Sequence, residues 1–221
     1  MPYEAWGYHG TVSSRPEVTR PEVSLAQRKR QLVSNELTEA ALQLLARKGF
    51  DGVTIDEIVA TAGVSKRTFF RYFASKEDVV VQFLAEMGAD MCTELAARPA
   101  GESPSVALRQ AVSVPIAACA DHFDRALSVV QLILRTPALH ARFLERQAQW
   151  RDDLAAEVAR RQGFDGDGDL YPQLAAAMAL SAFDTVLQRW SGSAGAADPA
   201  ELIDQAFAVI APALDAVGRR A

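Results

Sequence analysis

At 221 residues and 49% apolar content the chain is long enough to bury a sizeable core, in one domain or two. Its uninterrupted apolar runs are short, such as Leu174 to Leu180, against the roughly 20 residues that a bilayer span needs, and its start lacks the pattern of a secretory signal. A soluble, cytoplasmic protein is therefore expected. The net charge of −5 argues at first against a nucleic-acid partner, but the charge is unevenly spread. Residues 25–76 carry nine Lys or Arg against five acids, a balance of +4, and residues 77–221 carry twelve against twenty, a balance of −8. This split predicts a small basic head on a larger acidic body.

Residues 1–24 hold Pro2, Pro16 and Pro21 with little apolar periodicity, so they read as a flexible arm whose Arg15 and Arg20 could reach a minor groove. From there every segment reads as helix, and an all-α fold is expected. Leu32, Leu37, Ala40, Ala41, Leu44 and Leu45 recur at helical spacing, with Gly49 as a stop. Thr54-Ile55-Asp56-Glu57 has the form of a capping box, in which hydroxyl and carboxylate each satisfy a free backbone N–H. Gly63 permits a tight turn, Ser65 caps a second short helix through Phe73, and Ser75 caps a third helix beginning at Lys76. Ile55, Ile58, Val59, Val64 and Phe69 fall where two short helices bury them. This is the pattern of a helix-turn-helix. Phe69 and Phe73 should face inward, leaving Ser65, Lys66, Arg67, Thr68, Phe70, Arg71 and Tyr72 to meet DNA, with Lys76 as a phosphate clamp.

The run Gly63-Val64-Ser65-Lys66-Arg67-Thr68-Phe69-Phe70-Arg71-Tyr72-Phe73, followed by Ser75-Lys76-Glu77, resembles the N-terminal domain of the TetR (tetracycline repressor) family. The resemblance covers roughly residues 25–83; beyond them it extends only to helical character and length. It implies a three-helix DNA-binding domain (25–76) and a helical bundle for ligand binding and dimerisation (77–221), about nine helices in all. It also implies a homodimeric repressor released from operator DNA by a small effector. Under the same resemblance Thr54, Tyr72 and Lys76 hold phosphates, while Lys66, Arg67 and Thr68, with Phe70 and Arg71, face the major groove. Many relatives carry a Tyr where this chain has Phe70, whose side chain offers no hydroxyl to a phosphate.

In the body, Met87, Met91, Phe123, Leu127, Val130, Leu134, Phe143 and Trp150 are candidates to line a pocket for a mostly apolar effector, or to serve as plain core. The segment Arg135-Thr136-Pro137-Ala138-Leu139-His140, with Glu145 and Trp150-Arg151-Asp152, resembles TetR members that respond to acyl-CoA-like compounds. Asp198-Pro199 starts a last helix whose Ile203, Phe207, Ile210, Leu214 and Val217 form an apolar seam, which Pro212 should bend. With Met178 and Phe183 of the preceding helix these residues either bury themselves within one chain or form a dimer interface, and the resemblance favours the dimer.

No catalytic, cofactor or metal site is expected. His122 and His140 stand 18 apart without Cys or carboxylate at zinc spacing. The run 163–169 opens like a calcium loop but has Leu170 where glycine is needed and Ala176 where the bidentate glutamate belongs. Ser191-Gly192-Ser193-Ala194-Gly195 lacks the first glycine of a nucleophile elbow. Cys92 and Cys119 are too few for a disulfide framework and read as packing residues.

Overall fold

The computed structural model describes residues 24–118, 122–164, 169–193 and 196–216. Arg15 and Arg20 of the expected arm, Cys119, residues 165–168 of the loop with alternating carboxylates, and Val217 lie outside the described residues. The described chain is all-helical, with α1 (Leu25–Lys48), α2 (Ile55–Thr61), α3 (Lys66–Tyr72), α4 (Lys76–Ala97), α5 (Pro104–Ala117), α6 (Phe123–Arg135), α7 (Pro137–Gln162), α8 (Leu170–Gly192) and α9 (Pro199–Leu214).

Local chemistry sets the boundaries of the head. Gly49 ends α1 with φ of 75°, and Gly63 turns the chain between α2 and α3 with φ of 65°, left-handed values that glycine adopts without a Cβ clash. Thr54 closes a complete capping box on α2: its hydroxyl accepts from the Glu57 N–H, and the Glu57 carboxylate accepts from the Thr54 N–H. Ser65 and Ser75 cap α3 and α4 by accepting from the N–H groups of Thr68 and Asp78. Leu37, Leu45, Ile58, Phe69 and Phe73 are buried together, which locks α1, α2 and α3 into one unit. Leu32 is a correction to the expected stripe. It is 64% exposed, because α1 begins to pack only from Val33 and its first turns stand clear of the core.

α4 leaves the head and runs into the body, packing on α1, α5 and α7. Its C-terminal end is held by Arg161 of α7, whose guanidinium donates to the carbonyls of Leu95, Arg98 and Pro99. Leu95 lies in the last turn of α4 and Arg98 is its C-cap, so the guanidinium fastens the turn where the helix ladder ends. Midway, Gly88 lies against the indole of Trp150, and a Cβ there would stand 2.1 Å from the ring. Glycine is needed at this point for the close approach of α4 and α7.

α8 and α9 close the bundle against α5 and α7, tied by Tyr171 donating to the Leu214 carbonyl and by Ser105 donating to the Asp215 carboxylate. α8 is long and apolar enough to match a bilayer span by length and composition, yet Phe183, Val186, Leu187 and Trp190 are buried inside the bundle. Phe183, Ile203, Phe207 and Leu214, expected at the dimer interface, are likewise buried within the chain, at no more than 2% exposed. Their side chains are covered by the chain's own helices and cannot form a surface. Met178 and Ile210 are only half-buried, and the large apolar residues that α8 and α9 leave exposed are Leu170, Leu174 and Val209.

Candidate nucleic-acid interface and cavity

α3 presents a sharply two-sided surface. Phe69 and Phe73 are buried, whereas Phe70 on the opposite side is 51% exposed and meets Phe69 edge-on at 5.4 Å. Ser65, Lys66, Arg67 and Arg71 share the exposed side, with Thr68 half-buried and its hydroxyl 2.9 Å from that of Ser65. Lys66 pairs with Asp56 of α2 at 3.0 Å, a counter-ion that sequence reasoning missed because nothing local predicts which face of α2 meets α3. Arg67 and Arg71 enter no ion pair among the described residues, so their charges stay available to an anionic partner. Arg71 donates to the Tyr72 hydroxyl at 3.2 Å and lies over its ring, leaving Tyr72 half-buried beside the exposed face.

The two remaining candidates are engaged in the head itself. Thr54 is the α2 cap. Its partner Glu57 also takes a 2.6 Å bond from Lys48, and this bond first, then the Thr54 N–H, holds the Glu57 carboxyl down at about 2. Lys76 turns its ammonium inward, donating to the carbonyls of Phe50 at 2.7 Å and Val53 at 3.1 Å while lying over the Phe50 ring. An ammonium has three donors, so one remains for a phosphate oxygen. The structure thus brings Ser65 to Tyr72 together on one helix, with Thr54 and Lys76 at the neighbouring helix starts.

Inside the body a cavity of about 410 Å³ lies between α1, α4, α5, α6, α7 and α8. Of the expected pocket residues, Met87, Val130, Leu134 and Phe143 line it. Met91 is buried core, Trp150 packs between α4 and α7, and Phe123 and Leu127 contribute to the core outside the cavity wall. Sequence reasoning missed the wall supplied by α1 (Asn35, Thr38, Glu39, Leu42) and by α8 (Phe183, Leu187, Trp190). The α1 stripe carries residues for both head and body on one helix, and no periodicity separates them. Arg125 of α6 forms an ion pair with Glu39 of α1 at the rim, and this contact before any other holds the Glu39 carboxyl below its ordinary range.

A basic helix-turn-helix on a hollow helical body defines a DNA-binding regulator rather than an enzyme. Residues 37–83 match the family model for bacterial regulatory proteins of the tetR family, and residues 102–215 match that of the MftR C-terminal domain. The chain is 32% identical to the HTH-type transcriptional regulator TcmR of Streptomyces glaucescens over 81% of either chain. It is 31% identical to the transcriptional regulator MftR of Mycobacterium tuberculosis over 88% of this chain and 98% of that one. The chain belongs to the TetR family of transcriptional regulators. Among solved structures, FadR from Bacillus halodurans superposes with a TM-score of 0.61 at 20% identity, covering 80% of this chain and 94% of that one. FadR from Bacillus subtilis in complex with stearoyl-CoA gives 0.60 at 19%, covering 80% and 96%. At these identities the likeness is one of fold.

Proposed function

We propose that the chain is a homodimeric repressor that leaves its operator when a small, mostly apolar effector fills the cavity. The observation that carries this reading is that α1 and α4 each belong to both machines: α1 packs the head core and walls the cavity, and α4 starts at Lys76 and lines the cavity with Phe83, Leu84 and Met87. Head (25–76) and body (77–221) therefore meet along shared helices. With the α4 C-terminal end clamped by Arg161, a ligand that spreads the cavity displaces the other end, where the head hangs. Two heads must meet major grooves roughly 34 Å apart, so a change in their separation releases DNA.

In this reading Lys66, Arg67 and Thr68, flanked by Ser65, Phe70 and Arg71, meet base edges, and Thr54, Tyr72 and Lys76 hold phosphates. The exposed outer faces of α8 and α9, with Leu174, Met178 and Val209, form the dimer contact. Effector and operator are both met in the cytoplasm.

The test is binding to the control region of its own and neighbouring genes, followed by fluorescence anisotropy across a salt series. Specific affinity should fall steeply with salt as counterions are released. Arg67→Ala or Thr68→Ala should relax discrimination at individual base pairs, each by about 1–3 kcal/mol, whereas Tyr72→Phe should weaken all sequences alike. Equal affinity for every sequence would overturn the reading.

A further inference from the structure

The cavity has an apolar interior and a charged mouth, and the two differ in what they accept. The interior walls are Leu42, Val129, Ile133, Phe143, Phe183 and Trp190, all buried. Thr38 of α1 also lines the cavity and is buried, and the Trp190 indole N–H is itself buried with no acceptor among the described residues.

The mouth is bounded by α1, α4 and α6. Its carboxylates are Glu39, Glu86 and Asp90, and its basic groups are Arg125 and His122. Arg125 already pairs with Glu39. Glu86 accepts from the amides of Gln82 and Gln31, and neither it nor Asp90 enters an ion pair among the described residues. Even with His122 counted as a cation the carboxylates are in excess. Glu86 and Asp90 are four residues apart on α4, so both carboxylates stand on the face that edges the opening.

We propose that this cavity selects a neutral or cationic amphipathic molecule with an apolar body, and rejects anionic amphiphiles, including acyl-CoA thioesters. The inference rests on the cavity being the effector site. A CoA headgroup carries several phosphate charges that would lie at the mouth, where the one guanidinium is taken and two carboxylates face it. Like charges brought together at an interface cost affinity, and phosphate recognition calls for free Arg or Lys. A quaternary ammonium or a hydroxyl at the same place meets attraction or no charge at all. Resemblance in the segment from Arg135 to Asp152 and the stearoyl-CoA held by a solved relative both point to acyl-CoA; the charge at this mouth points away from it.

The experiment titrates the full-length protein with four probes that share one tail: decyltrimethylammonium, decanol, decanoate and decanoyl-CoA, each below its micelle concentration. Occupancy is read from the indole emission that Trp190→Phe removes, which separates cavity binding from adsorption elsewhere. Decyltrimethylammonium and decanol should bind at least about tenfold more tightly than the two anions, and the advantage of the cation should shrink as salt rises. Glu86→Gln with Asp90→Asn should flatten the order, and Glu86→Lys with Asp90→Lys should invert it. Decanoyl-CoA as the tightest probe on the unaltered protein, with the Trp190 signal present, would overturn the charge selection and leave the effector cavity standing. Absence of the signal with every probe, or affinities unchanged by the cavity-filling Ala126→Trp, would overturn the cavity as effector site and this inference with it.

Discussion

Replacing Gly88 by alanine sets two effects of known size against each other. In a helix interior alanine is favoured over glycine by about 0.8–1.0 kcal/mol. Against this, the new Cβ would lie 2.1 Å from Cδ1 and Nε1 of Trp150, whereas carbon contacts relax at about 3.5–4.0 Å, so the helices or the ring must part by roughly 1.5 Å. The indole cannot swing aside, because Trp150 is 2% exposed and Phe143 stands edge-on to it at 5.8 Å. Overpacking of a tight core costs about 1–3 kcal/mol, and rigid neighbours on a shared helix interface place this site in the upper part of that range. Gly88→Ala is therefore expected to lose about 1–2 kcal/mol net, lowering the midpoint temperature by about 2–4 °C per kcal/mol in a chain of this size. Urea denaturation followed by far-ultraviolet circular dichroism gives the free energy directly. The control is Trp150→Phe, which shortens the ring at the contact. In that background alanine at position 88 should become neutral or stabilising, since only the propensity gain remains. An alanine variant as stable as the parent, or an equal loss in both backgrounds, would refute the close-approach argument.

Thr54→Ala removes one half of the capping box and should cost about 1 kcal/mol, read by the same denaturation, with Thr54→Ser restoring most of it. A variant of unchanged stability would show that α2 does not depend on its cap. Burial pushes the Cys92 thiol up to about 11 and the Tyr171 phenol up to about 12. Free thiols and phenols lose their protons near about 8.5 and 10, so as pH rises the unfolded chain deprotonates first while the folded chain keeps both protons. The stability from these groups is thus complete below about pH 8.5 and declines from there towards pH 12, and a urea midpoint that stays level across this window would contradict the burial of both. Cys92→Ala with Tyr171→Phe should remove that decline. Val209→Lys, at a position 79% exposed on α9, should turn a dimer into a monomer in sedimentation velocity while leaving the midpoint temperature in place. A dimer that persists would move the interface elsewhere.

The head was legible in the sequence because its determinants are local. Thr54 and Glu57 are three residues apart, Gly63 needs only its own φ, and Ser65 and Ser75 reach N–H groups three residues on. Each such signal can be read without knowing what packs on it. The body was legible as helices and little more. Ile203, Phe207 and Leu214 recur at a spacing that shows an apolar stripe, but the same stripe serves a partner chain or the chain's own core, and here the core takes it. Phe183 was misplaced for the same reason, and lies in the cavity wall. The mouth needed tertiary structure outright. Glu39 and Arg125 are 86 residues apart, and no local pattern announces that they meet.

The placement of α1 has a thermodynamic consequence. Leu42 is buried in the core that continues into the head and at the same time walls the cavity, so one rigid helix carries both surfaces. Coupling through a shared body is reciprocal: whatever factor by which an occupied cavity weakens operator affinity, a bound operator must weaken ligand affinity by the same factor. Repressor seated on DNA would then be the population least sensitive to effector, and free repressor the most sensitive. The concentration at which genes switch would depend on how many operators the cell contains for each copy of the protein.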